Sequence, residues 1–227
     1  MKIALSPLIG DARGSAGTIA LYQSRAGLCA KIVVTPYQPL TPAQFLERAS
    51  LATISQTWKT PAMNAYRNGW ITLAKNNPYY DVFHVLHTLT GSAMFAKLNR
   101  NLHTIGVSVI FIPPATLSCS TPGLLTLAHV PPTPEDFLVT ATFNPQPTEA
   151  VVIRATAPMS AGIETMSNNQ AVIQTFAAGT AGPWSILTNY KKKHTTVNDG
   201  SQIFVLVNYV ETTTGFAGQQ SIDSLIW

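Results

Sequence analysis

The sequence predicts an α+β chain in three segments. These are an N-terminal β-hairpin arm over residues 1–38, a three- to four-helix module over 39–104, and an antiparallel β-sandwich over 105–227. Two patterns carry this prediction. From Leu40 to Leu102 apolar residues recur at helical spacing behind helix-start signals. From Ile105 onward the period drops to two, and prolines gather between short β-prone runs. A chain of 227 residues is long enough for one large domain or two small ones.

The arm reads as two extended runs, Thr18–Tyr22 and Leu28–Val34, joined by a turn at Ser24-Arg25-Ala26-Gly27. A lone hairpin is marginal in water, so this one needs helices or a neighbouring subunit to pack on. Thr35-Pro36-Tyr37-Gln38-Pro39 is a stiff connector, because each proline fixes its own φ and restricts the residue before it.

Thr41-Pro42-Ala43-Gln44 predicts a helix start, with Thr41 as N-cap, Pro42 in the first helical position and Gln44 as capping partner. Phe45, Ala49, Ala52, Ile54 and Trp58 are expected to share its apolar face. Thr60-Pro61 repeats the device for a second helix through Tyr66, Trp70 and Leu73, with Trp58 and Trp70 pinning the corner. A third helix is expected from about Tyr79 to Thr90, interrupted at Gly91-Ser92, with Ala93 to Asn101 as its continuation or as a separate short helix.

The strand candidates then follow at sandwich spacing. They begin with Val107–Phe111, Ala115–Ser120 and Leu124–His129, then Phe137–Phe143, Ala150–Ala157 and Ala171–Ala177, and finally Trp184–Lys191, Gln202–Val210 and Ser221–Ile226. Pro122-Gly123, Pro131-Pro132, Asn144-Pro145 and Asn198-Asp199-Gly200 are among the breakers between them. The number and spacing of the strands match an immunoglobulin-like or fibronectin type III-like sandwich.

Charged residues make up 11% of the chain, against roughly 25% in an ordinary soluble domain. A surface so poor in charge suits a protein that buries much of it in an assembly; the alternative is a secreted or thermostable polar β protein. The charge is uneven. Residues 1–113 hold ten Lys/Arg against three Asp/Glu, and residues 114–227 hold four against seven. The basic half offers a face to nucleic acid or to an acidic partner, although no dense Lys/Arg stripe with interleaved aromatics supports nucleic acid. Cys29 and Cys119 have neither disulfide-framework nor metal-ligand spacing and read as free thiols in a reducing compartment. The apolar patch after Met1 is broken by Pro7 and is too short for a secretion signal or a membrane span, so no targeting segment and no membrane association are expected.

Several motifs occur together. The hairpin carries Gly14-Ser15, Gly17, Arg25, Gly27 and Ala30-Lys31. The connector runs from Thr35 through the Thr41-Pro42-Ala43-Gln44 start. Trp58, Thr60, Ala62 and Ala65-Tyr66 mark the helix pair, and Gly91, Phe95 and Asn99 close the helical part. As a set, residues 10–102 resemble poorly characterised phage- or prophage-encoded proteins that join such a module to a fibronectin type III-like domain. Gly200 to Val207, with Thr214-Gly215, is similar to late strands of those domains. The sequence departs from the pattern at Pro61, where the second helix start is tighter. The resemblance implies a structural role in a virion assembled in the host cytoplasm, with other virion proteins or further copies of the chain as partners.

Chemistry-bearing constellations are sparse. Asp81, His84 and His87 are three residues apart, and on a helix Asp81 is rotated about 240° from His87, too far to share a metal. Glu135-Asp136 sits in a proline-rich turn. No nucleophile elbow, P-loop or H-E-x-x-H is present. No catalytic residue, metal or cofactor is assigned. The candidate partner-binding residues are Arg13, Tyr22, Arg25 and Lys31 on the arm, and Lys191, Lys192 and Lys193 in the densest basic run. That run also suits a solvated strand edge, where Lys discourages edge pairing.

The expected function is therefore a non-enzymatic virion component: a minor capsid, decoration or tail-associated protein. One alternative is a receptor- or glycan-binding module with Phe176, Trp184 or Phe216 at its loop tips. A second is a DNA-associated protein using the basic half. Residues 1–38 are expected to need a neighbour for full order. Hydrogen exchange on the isolated chain tests this: Ile19–Tyr22 should exchange with little protection, and strong protection there would contradict the expectation.

Overall fold

The computed structural model describes residues 14–16, 19–24, 27–32, 41–80, 84–130, 136–163, 166, 170–194 and 200–227. The chain is α+β and forms two compact units, Met1–Phe45 and Leu46–Trp227. Arg13, Arg25, the Thr35–Pro39 connector, Asp81, Pro131-Pro132, Glu135 and Asn198-Asp199 lie outside the described residues.

In the first unit the hairpin gains a third strand. β1 (Gly14–Ala16), β2 (Ile19–Ser24) and β3 (Gly27–Ile32) form an antiparallel sheet in chain order. Ser24 pairs with Gly27 across β2 and β3. Ile19 pairs directly with Ile32, and both are exposed.

α1 (Pro42–Lys59) starts as predicted, with the Thr41 hydroxyl accepting from the Gln44 N–H at 3.3 Å. Its apolar face is not the predicted one. Ile54 is buried and Trp58 half-buried, whereas Phe45, Ala49 and Ala52 are exposed. At 3.6 residues per turn, Ala49 and Ala52 lie about 140° and 160° from Ile54, so they cannot share its face. The second helix start is also different. The Thr60 hydroxyl donates to the Thr57 carbonyl instead of capping, and Pro61–Ala65 is a 3₁₀ turn ahead of α2 (Arg67–Asn76). Trp58 and Trp70 do pin the corner, each packing its ring on Phe95 at 5.3 and 5.2 Å.

The expected helix from Tyr79 to Thr90 is absent. In its place β4 (Tyr79–Tyr80) pairs antiparallel with β5 (Leu86–His87), and His84 has a φ of 57°. Aromatic and β-branched residues after Pro78 favour extended backbone, and propensity here outweighs an approximate helical spacing. Gly91 and Ser92 do not interrupt a helix. They begin α3 (Gly91–Thr104), capped by the Thr90 hydroxyl, which accepts from the Ala93 N–H at 3.2 Å.

Residues 105–124 contain none of the two expected strands. Side chains take their backbone groups instead. The Asn99 amide oxygen accepts from the Ile110 N–H at 2.7 Å, and its nitrogen donates to the Phe95 carbonyl at 3.0 Å. The Trp70 indole donates to the Phe111 carbonyl at 2.8 Å. A segment held this way does not need a neighbouring strand.

β6 (Leu125–Val130) and β7 (Asp136–Ala141) then form a sheet with the two-residue β11 (Trp184–Ser185), in the order β11-β7-β6. The larger sheet runs β10 (Gln170–Phe176), β8 (Glu149–Thr156), β12 (Ser201–Glu211), β13 (Ser221–Ile226), with β9 (Met159–Ser160) also paired to β12. Both sheets are antiparallel. They share one apolar core, in which Phe137 and Val139 meet Val151, Ile153, Val205 and Val207. The predicted strand Trp184–Lys191 is a strand only at its first two residues; α4 (Leu187–Lys193) follows. Leu187 and Tyr190 are buried at helical spacing while Lys191, Lys192 and Lys193 are exposed.

The fold predicts a cost for Asn99, which is fully buried. Asn99→Leu keeps the volume and leaves the Ile110 N–H without its acceptor. The expected loss is about 2 kcal/mol, read as a lower urea midpoint at unchanged m-value.

Candidate interaction surface

Of the residues singled out in the sequence, Tyr22 lies in β2 opposite Cys29, and Lys31 lies in β3 opposite Ala20 with its side chain exposed. Lys191, Lys192 and Lys193 form the last turn of α4, where positive charge complements the helix C-terminus. Lys31 and the α4 lysines belong to separate units. The loop-tip aromatics are taken inward: Trp184 is buried, Phe176 packs against it at 6.2 Å, and Phe216 packs on the helical core. His87 lies in β5, its ring tilted against that of Tyr79 with centroids 5.9 Å apart. Among the described residues, no three His, Cys, Asp or Glu side chains gather as metal ligands would. No helix among them is long and apolar enough to cross a membrane.

The densest polar arrangement surrounds Glu149, at the start of β8. Its buried carboxylate accepts from the Ser120 N–H at 2.6 Å, from the Ser120 hydroxyl and from the Gln146 N–H at 2.8 Å. Burial pulls its pKa upward. These hydrogen bonds, the ones from Ser120 foremost, outweigh that and hold it below the usual carboxylate range. Next to it, Cys119 donates to the Tyr209 carbonyl at 3.2 Å. Burial, reinforced by the Glu149 charge, pushes this thiol up to about 12. Burial likewise raises the Tyr209 phenol to about 12 while its hydroxyl donates to the Phe143 carbonyl. A nucleophilic cysteine needs its thiolate near neutral pH. This cluster does the reverse: it ties the 118–120 segment to the sheet and keeps its thiol protonated.

The feature that faces outward is apolar. In the β4–β5 hairpin, Tyr80 pairs directly with Leu86, and these side chains are 68% and 54% exposed. Directly paired residues project from one face of a hairpin. β5 leads into Thr88, Leu89 and Thr90, which wall a hollow of about 390 Å³ beside Trp58, Ile71 and Lys75. Across Trp58 lies a second hollow of about 310 Å³, lined by Leu51, Ile54, Ala93 and Ala96. Gly91, in the lining of the first hollow, lets α2 and α3 meet, since a Cβ there would lie 2.8 Å from the Ile71 side chain. Ile71 and Leu51 are each about two-fifths exposed on the rim. Lys75 is the one formal charge among the residues that line the two hollows. In the sequence Tyr79 to Thr90 reads as a packed or partner-facing helix, so the groove itself was not legible there. Comparison with known proteins adds no identification: no family model, no curated protein and no solved structure matches the chain.

The Glu149 cluster has a pH signature. Its pKa is lower in the folded chain than unfolded, so its contribution is complete above about 4.5 and fades as pH falls through the folded value. Glu149→Gln should therefore lower stability at pH 7 by about 2 kcal/mol and flatten the decline of Tm below pH 4.5. Thermal melts from pH 7 to 3 measure both effects.

Proposed function

We propose that this chain is a non-enzymatic structural component of a bacteriophage virion, a minor capsid, decoration or tail-associated protein acting through protein–protein interfaces. The observation that carries the reading is the apolar surface formed by the β4–β5 hairpin and the groove beside Trp58. An uncovered apolar surface with pockets of this size is costly for a free monomer and marks an interaction site. The low charge content points the same way, since assembly interfaces are depleted in charge at their centres. In this reading the two sheets form an immunoglobulin- or fibronectin type III-like sandwich, supported by their shared apolar core, and the lysines of the arm and of α4 make peripheral contacts. Placement in a virion rests on the resemblance of residues 10–102 to phage-encoded proteins. The inward packing of Trp184, Phe176 and Phe216 removes the aromatics that favoured glycan recognition.

Purified particles from the encoding host test the reading. The chain should band with intact particles in a density gradient at fixed copy number, and it should stay bound at high salt. Recovery only in the soluble fraction would overturn it, and loss from particles at moderate salt would favour a DNA-bound or peripheral role instead.

A further inference from the structure

We propose that His194 is an acid-sensitive latch: in mildly acidic solution its ring takes up a proton, and α4 comes away from the two sheets it packs on. The observation that carries this is a buried ring nitrogen. His194 Nε2 is shielded from water and, among the described residues, has no hydrogen-bond partner. The ring bonds the Ala155 backbone instead, so Nδ1 is the nitrogen engaged, donating to the carbonyl. A neutral imidazole fits this arrangement, with its hydrogen on Nδ1 and a bare Nε2. A second proton would create a donor without an acceptor, and a full charge, where water does not reach. The latch closes a short helix that serves both sheets. α4 packs on β10 of the larger sheet and β7 of the smaller, and it sends Leu187 and Tyr190 into their shared core. The His194 N–H donates to the Tyr190 carbonyl at 2.8 Å, which ties the ring to the helix end.

The surroundings do little for the charged form. On its own helix the ring lies 4.9 Å from that of Tyr190, a phenol that burial keeps neutral and whose hydroxyl donates to the Thr156 carbonyl. β10 faces α4 with Gln174, a neutral side chain that accepts from Asn189. On β7 the Asp136 carboxylate is already taken by the Ser185 hydroxyl and the Phe137 N–H. Lys193 is the charge that acts on the ring, and it has the same sign as the imidazolium. A helix C-terminus attracts positive charge. Lys191, Lys192 and Lys193 already supply that charge from exposed positions. Burial foremost holds the imidazole below its ordinary 6.5; the Ala155 bond pulls the other way, and Lys193 adds to burial. The docked ring thus binds its proton more weakly than the released ring. Docking has its full strength above about 6.5 and weakens as pH falls toward the docked value.

Hydrogen exchange on the full chain, resolved by NMR between pH 7.5 and 5, tests the inference. The Tyr190 and His194 amides report on α4, since they donate to the Ile186 and Tyr190 carbonyls. Their protection, corrected for the intrinsic pH dependence of exchange, should fall by up to about tenfold per pH unit below about 6.5. At every pH they should be less protected than Val205 and Val207 of β12, which marks a local opening rather than global unfolding. His194→Asn keeps a donor for the Ala155 carbonyl and cannot titrate, so its α4 protection should stay flat over this range. Thermal melts at pH 7.5 show whether the variant folds. If it does not, titration of the His194 ring in the parent chain decides alone. Flat α4 protection in the parent would overturn the inference, as would a His194→Asn chain that loses protection like the parent. So would α4 amides as protected as those of β12, or a His194 ring that titrates at 6.5 or above. The virion reading does not depend on any of these outcomes.

Discussion

The second unit is built around a single strand that water cannot reach. β12 has eleven residues, and eight consecutive ones, Ile203 to Val210, are buried. Successive strand residues point to opposite faces, so both faces of the sheet must be covered. Ile203, Val205, Val207 and Tyr209 enter the core shared with the smaller sheet. Phe204, Leu206, Asn208 and Val210 face the other way and are buried as well. β8, β9 and β13 satisfy the strand's edges. Without these layers, β12 would leave apolar side chains and peptide groups exposed together.

The turn after β12 joins the sheet to the helices. Gly215, with a φ of 71°, lies so close to α3 that a Cβ would fall within 2.8 Å of the Leu102 side chain. Asn101 donates to its carbonyl at 2.9 Å. Phe216 then enters the core of Ile54, Met63, Trp70 and Phe95. One glycine in a left-handed conformation thus permits the close approach of α3 that a side chain would block.

Side chains also act as substitutes for absent strands. Asn99, Trp70 and Glu149 hold the backbone between Ile105 and Leu124 at three separate places. The same logic explains the protonated thiol of Cys119, which the desolvated surroundings of Glu149 and Tyr209 force to remain neutral. The polar side chains of Asn99, Trp70 and Glu149 are committed to holding the chain together. On the outer surface, Tyr80 and Leu86 of the β4–β5 hairpin and the groove beside Trp58 are apolar.

The amino-acid order by itself determined the α+β class, the Thr41 cap, the Trp58–Trp70 corner and six of the longer strands from β6 to β13. These depend on local periodicity and on residues whose backbone preferences are strong. Tertiary structure decided the rest. Residues 105–124 are β-prone yet lack strands, because the side chains that satisfy them come from α2, α3 and β8. Ile186 to Lys193 has a β-compatible composition but becomes helical where Leu187 and Tyr190 can reach the core. The face α1 buries was set by the position of Phe95, which selects Trp58. The groove beside Trp58 was hidden for the same reason: it exists only once α1, α2 and α3 meet, and no local pattern encodes their meeting.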